Sequence, residues 1–383
     1  MSISIGVVGK PNAGKSTFFS ALTMADAKIA PFPFTTIEPN KATAHIRKPC
    51  PHTILGKQCH PRDSSCINGI RFVPILLTDV AGLVPDAHLG RGLGLQFLDD
   101  LRQADALIQV VDASGRTDLE GNPSEGSDPA AEVEFLEKEI TYWIAGILEK
   151  NWAKMKGKSS SALYDIFASM KISHAQVEAA ILKLNIGQAL DWDEEQRFAF
   201  AAEMRATKPI FIAANKADSA SAENVLLLLE KFPGRVAVCS AAYELALRKA
   251  AKAGIIEYLP GQHEFAVKNA SPEQQKALER IAAFLKEKGS CGVQEALEAI
   301  VTNTLGLIAA YPVEDEHKWC DRKGEILPNV FLLPKGSTTF QMAERVHTDL
   351  AKNFITAIDA KRKMRVGKEF IVNDGDVIKI VSG

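Results

Sequence analysis

The stretch "SISIGVVGKPNAGKSTFFSAL" constrains this chain more than any other. A β-branched apolar run, Ile3 to Val8, leads into Gly9; a GxxxxGKS loop follows, and Thr17 to Leu22 continue with helical character. Strand, glycine-rich loop and helix in that order make a phosphate cradle. The glycines let consecutive backbone N–H groups converge on phosphate oxygens, and the helix N-terminus adds partial positive charge. Gly9, Pro11, Asn12, Ala13, Gly14, Lys15, Ser16 and Thr17 form it, with Lys15 on the β and γ phosphates and the Ser16 hydroxyl on Mg²⁺. Asn12 has two readings: it supports the turn, or its amide oxygen helps hold K⁺ beside the phosphates.

Two more apolar runs end in polar residues of the matching kind. "FVPILLT" delivers Asp79, which can hold Mg²⁺ through water, and the DxxG turn then offers the Gly82 N–H to a γ-phosphate. "KPIFIAANKAD" delivers Asn215, Lys216 and Asp218, and "RVAVC" delivers Ser240, Ala241 and Ala242. The Asp218 carboxylate can accept from both N1–H and the exocyclic amine of guanine, whereas adenine presents an acceptor at N1. Such a bidentate pair discriminates by about 1–3 kcal/mol. The Lys216 stem packs over the ring and the Ala241 N–H addresses O6, so GTP and GDP are the expected ligands and ATP the weaker alternative. Between cradle and DxxG lies "APFPFTTIEPN", either an ordinary surface loop or a switch in which Thr36 or its neighbour Thr35 reaches Mg²⁺ only while a γ-phosphate is present.

Composition removes several other classes. With 46% hydrophobic and 24% charged residues, the 383-residue chain is ordinary globular material, long enough for two or three domains. A formal net charge of −2 supplies no global field for nucleic acid, so RNA binding requires a local patch and DNA is not an expected partner. No apolar run reaches bilayer length and the opening residues read as a strand rather than a leader; a cytoplasmic protein with six reduced cysteines is expected.

"GKPNAGKS", "PFTTIEPN", "DVAGLVPDAHLGRGLGLQFLDDLRQAD" and "NKAD" together resemble the Obg-related GTPases, closest to the YchF-like branch, and the end of the chain resembles a TGS domain. The resemblance implies slow, translation-associated GTP hydrolysis, with Leu83 standing where many GTPases carry the catalytic glutamine. Some YchF-like members have a degraded guanine motif and prefer ATP; here Asn215, Lys216 and Asp218 are intact. Leucine cannot orient the attacking water. His88 reads as a solvated loop histidine or as a water positioner, with Arg91 or a group from a partner as competitors, and low intrinsic turnover, stimulated by a partner or a monovalent cation, is expected.

The expected architecture is a doubly wound P-loop α/β domain over 1–114 and 208–310, a helical insertion over 115–207, and a C-terminal β-grasp (TGS) domain over 311–383. In the insertion Val133, Leu136, Ile140, Trp143 and Ile147 recur at helical spacing, and Val177, Ile181 and Leu184 mark a second helix after the mobile-looking "MKGKSSSA". Glu194 to Ala206 suggests a third. This insertion reads as a partner-binding arm or as an amphipathic hairpin packed on the G domain. "SPEQQKALERIAAFLKEKG" opens with a capping box, Ser271 and Gln274, and stops at Gly289. Near the C-terminus, "TFQMAERVHTDLAKNF" reads as an amphipathic helix gripped by strands. The basic run there, Lys361, Arg362, Lys363, Arg365 and Lys368, is either an RNA contact or a solvated hairpin face.

"CPHTILGKQCHPRDSSC" offers Cys50, His52, Cys59, His60 and Cys66 as ligands for Zn²⁺, though without paired CxxC knuckles; the alternative is a reduced loop or hairpin extension of the sheet. The leading functional reading is a Mg²⁺-dependent GTPase switch meeting the ribosome or other structured RNA. Its rival is a nucleotide-gated RNA-binding scaffold with negligible turnover.

Overall fold

The computed structural model describes residues 3–24, 40–80, 82, 85, 101–187 and 191–383. The switch readings at Thr35, Thr36, Leu83, His88 and Arg91 lie outside these residues. The chain divides into two compact units: Met1–Leu22 with Ile37–Ala42 and Leu76–Ala296, and Thr23–Thr36 with Thr43–Ile75 and Leu297–Gly383.

The first sheet is built from β1 (Ser4–Val8), β2 (Lys41–Pro49), β3 (Ser65–Ile67), β4 (Ile70–Asp79), β5 (Ala106–Asp112), β6 (Ile210–Asn215) and β7 (Val236–Val238). Its strand order is β2-β4-β1-β5-β6-β7, with β3 paired to β4. From β4 to β7 the pairing is parallel. Every residue of β1, β5 and β6 is buried, which is why these strands read as unbroken apolar runs rather than alternating ones.

The insertion is larger and better packed than two helices. It contains the helices Pro129–Met155, Ser161–Ala168, His174–Leu184 and Glu194–Ala206. Asp128 caps the first, accepting from the Ala130 N–H beside Pro129 at the first helical position. The Ser161–Ala168 helix starts inside the stretch read as mobile, because Leu163 and Phe167 supply two fully buried anchors, each worth about 2–3 kcal/mol of burial. Leu136, Ile140 and Trp143 join one apolar core with Val8, Leu107 and Ile210. The insertion is thus packed on the G domain. Ile147, expected in the buried stripe, is only partly covered.

Helix Ala222–Lys231 connects β6 to β7, and after β7 come helix Ala241–Lys252, the two-stranded β8 (Ile256–Glu257) and β9 (Ala266–Val267), and the helix Pro272–Lys288. This last helix carries the expected Ser271/Gln274 capping box and ends at Gly289, whose φ is 86°.

In the second unit, β3 and β4 form a hairpin across Asn68-Gly69, both with positive φ, 52° and 79°, the backbone a tight primed turn requires. The second sheet contains β10 (Leu307–Val313), β11 (Phe331–Pro334), β12 (Phe354–Asp359), β13 (Met364–Val366) and β14 (Val377–Ser382), in the order β11-β10-β14-β12-β13. Met342 and Ala343 of helix Thr339–Val346 are buried, and Met342 packs with Ile308, Leu333 and Ile378. The amphipathic segment is not one helix: His347 is extended (φ −164°) and its ring accepts from the Asp349 N–H to start a second helix, Thr348–Lys352.

Candidate functional site

Strand register assembles the site. In the parallel sheet Val7 is level with Asp79, and Asp112 with Asn215, so the polar ends of β4, β5 and β6 and the loop that follows β1 share the carboxyl edge where such sheets bind ligands. Two P-loop glycines are sterically required. A Cβ on Gly9 (φ 148°) would meet the Val110 carbonyl oxygen at 2.4 Å, and one on Gly14 (φ 95°) would meet Asn215 Nδ2 at 2.3 Å. Asn12 also adopts positive φ, 59°, and its amide nitrogen donates to the Gly121 carbonyl over 2.9 Å.

Lys15 Nζ donates to the Lys10 carbonyl over 2.9 Å. Burial lowers its pKa, and the nearby Asp79 carboxylate pulls the other way. Burial in turn raises Asp79, opposed by Lys15. A Cβ on Gly82 would stand 3.0 Å from Lys15 Nζ, so the DxxG glycine lies against the same ammonium. A desolvated cation, a desolvated carboxylate and the amides at the start of helix Lys15–Thr23 therefore converge. Hard oxygen donors of this kind, the Ser16 hydroxyl and the Asp79 carboxylate, suit Mg²⁺.

On the base side, Asn215 is a brace. Its amide donates to the Ala13 carbonyl (2.9 Å) and its oxygen accepts from the Ala241 N–H (3.0 Å). This corrects one expectation, since the Ala241 N–H assigned to guanine O6 is donated to Asn215. Ala242 follows in the first turn of helix Ala241–Lys252, where backbone N–H groups have no intrahelical acceptor. The exposed Asp218 carboxylate accepts from the Ser240 hydroxyl over 2.7 Å, leaving its other oxygen for a ligand. Ser240 also caps that helix, accepting from the Tyr243 N–H.

The sequence reading missed Asp112. Fully buried at the end of β5, it accepts from Lys216 Nζ (2.8 Å), Ser114 and Thr117. Burial works against its charge, but these donors hold its pKa below the usual carboxylate value. With Lys216 in a left-handed backbone (φ 62°), this ion pair fixes the lysine stem. The available signal was an acid ending a buried strand, the same pattern that marked Asp79. A second missed contact is the buried pair Lys10–Glu132, with Lys10 also donating to the Thr117 carbonyl over 2.6 Å. Burial pushes Glu132 up to about 7 despite the Lys10 ammonium.

The other predicted clusters divide. In the basic run, Arg362 is tied to Asp359 and Asp376, and Lys361 donates to the Gly375 carbonyl over 3.2 Å; Lys363, Arg365 and Lys368 are exposed. Of the five thiol and imidazole residues, Cys50, His52, Cys59 and Cys66 gather. His60 does not: its ring faces Glu325 at 3.4 Å and accepts from the Ile326 N–H.

Comparison with known proteins places this geometry. Residues 4–141 match the sequence model of the 50S ribosome-binding GTPase, residues 213–315 that of the Obg-like GTPase YGR210-like, G4 motif-containing domain, and residues 322–382 that of the TGS domain. An uncharacterized GTP-binding protein of Methanocaldococcus jannaschii is 48% identical, with 99% of this chain and 98% of the relative covered. The ribosome-binding ATPase YchF of Bacillus subtilis is 28% identical, covering 99% of this chain and 98% of its own. The crystal structure of a GTP-binding protein from Pyrococcus horikoshii superposes with a TM-score of 0.81 at 40% identity and complete coverage of both chains. Match and geometry agree: the chain belongs to the Obg-related, YchF-like family of P-loop GTP-binding proteins with a C-terminal TGS domain.

Proposed function

We propose that this protein is a Mg²⁺-dependent GTP-hydrolysing switch acting in the cytoplasm on the ribosome or another structured RNA. The observation that carries the reading is the shared edge on which Lys15, Asp79, Asn215, Lys216 and Asp218 meet. Lys15 exchanges the Lys10 carbonyl for β and γ oxygens when a triphosphate enters, and the loop amides hold the remaining phosphate charge. Ser16, Asp79 and Thr36 would hold Mg²⁺, which would supply neutralisation of phosphate charge when bound. The free oxygen of Asp218 selects guanine. With Leu83 after the DxxG glycine, that position offers no glutamine to orient water, so turnover is slow until a partner or K⁺ contributes.

The ribosome assignment draws on two descriptions, the 50S ribosome-binding GTPase family and the ribosome-binding name of the Bacillus subtilis relative. Exposed Lys363, Arg365 and Lys368 are the residues offered to phosphate. Multiple-turnover phosphate release from GTP, with and without ribosomes and in K⁺ versus Na⁺, tests the proposal. GTP and GDP binding with no release under any condition favours a nucleotide-gated scaffold instead. Because relatives carry the name ATPase, GTP and ATP are titrated side by side with wild type and Asp218→Ala; unchanged affinity in the variant favours ATP.

A further inference from the structure

We propose that Cys50, His52, Cys59 and Cys66 form a closed tetrahedral Zn²⁺ site that clasps the segment between β2 and β4. Their four ligand atoms lie within 4.8 Å of one another. The separations match a metal polyhedron. A Zn–S length of about 2.3 Å and a Zn–N length of about 2.0 Å give tetrahedral edges of about 3.8 Å between sulfurs and about 3.5 Å between sulfur and nitrogen. Cys50 Sγ and Cys59 Sγ are 3.8 Å apart, Cys66 Sγ is 3.5 Å from His52 Nδ1, and Cys59 Sγ is 3.2 Å from the same nitrogen. A disulfide would bring two sulfurs to about 2.05 Å, and all three cysteines are free.

Charge gives a second, independent observation. Arg71 is fully buried, with its guanidinium over the Tyr311 ring and donating to the neutral Ser64 hydroxyl and Leu327 carbonyl; among the described residues its Nε has no partner. Among the described residues no carboxylate pairs with it. A buried cation requires a counter-charge. Arg71 on β4 is the register partner of the ligand Cys66 on β3, so the guanidinium starts directly beside the cluster. Three thiolates and one neutral imidazole around Zn²⁺ carry a net charge of −1, which this guanidinium balances.

The local chain also needs such a clasp. The elements holding the ligands are a four-residue helix, His52–Leu55, and the three-residue β3, lengths that do not hold themselves in water. Three sulfurs and one nitrogen in tetrahedral array favour Zn²⁺ over harder cations. With four protein ligands no position is left open, so the role is structural.

The test is metal analysis of the full chain purified with Zn²⁺ and dialysed against a weak chelator, together with the visible spectrum after Co²⁺ exchange. One Zn²⁺ per chain, a tetrahedral thiolate–Co²⁺ spectrum, and loss of both in Cys59→Ser/Cys66→Ser support the site. His60→Ala retains metal, and Arg71→Met weakens zinc affinity by about 10–100-fold. Folded wild-type protein, checked by circular dichroism, that holds no zinc and gives no thiolate–Co²⁺ absorption overturns the proposal. So does a Cys50–Cys59 disulfide in the intact mass of unreduced protein.

Discussion

The nucleotide edge and the thiol cluster solve the problem of holding a charged ligand in opposite ways. At the edge the grip is spread over main-chain amides, one buried lysine and residues brought from four strands by register. In the cluster the grip is four side-chain atoms from one short segment, residues 50–66. The first kind of site is made by the fold and tolerates little backbone change; the second kind helps make its own fold. Perturbing ligand-bearing residues should therefore damage ligand affinity more than stability at the edge, and local stability as well as metal content at the cluster.

The sharpest break is Lys15→Met. Burial disfavours the ammonium in the empty site, so the variant unfolds at an equal or higher midpoint while GTP affinity falls by about 3 kcal/mol or more, measured by thermal unfolding and calorimetry in parallel. Equal losses in both would erase the distinction between edge and cluster. Next is Glu132→Gln, read as the pH dependence of unfolding. In wild type the folded carboxyl, raised to about 7 from 4.5, retains a proton that the unfolded chain releases. Stability therefore falls as pH rises through that window, by about 3 kcal/mol, and Glu132→Gln flattens the slope. A slope equal to wild type would show that Lys10 already keeps Glu132 ionised.

Asp218→Ala should lower GTP affinity by about 1–3 kcal/mol relative to ATP, and chemical unfolding should change by less, because the carboxylate is exposed. Smallest is Arg365→Gln with Lys368→Gln: ribosome or RNA affinity should lose part of its salt slope, about one unit per phosphate contact removed. Arg362→Gln should destabilise the domain instead, since Asp359 and Asp376 are buried against that guanidinium.

What could be read from sequence followed contiguity. The P-loop and NKxD were visible because one short stretch supplies both the backbone path and the functional groups, and the Ser271/Gln274 cap is likewise local. Asp112 ends a buried strand as Asp79 does, but its pairing with Lys216 exists only through the register that sets it beside Asn215. The brace made by Asn215 escaped for the same reason: its partners, Ala13 and Ala241, lie far away in sequence. In the cysteine segment, density of ligands was legible but membership was not. His60 differs from His52 in where its loop runs, its backbone N–H bonding the Ile326 carbonyl over 2.8 Å. Small hydrophilic residues hid the Ser161–Ala168 helix until Leu163 and Phe167 found a core.

The Asn215 side chain couples events that a two-ended pocket would otherwise keep separate. One carboxamide touches the loop that faces the phosphates and the loop that faces the base, so neither end can open without tugging the other. GDP departure is then expected to be a single concerted event, with one exponential phase. An exchange-promoting partner could pry at either mouth and obtain the same release.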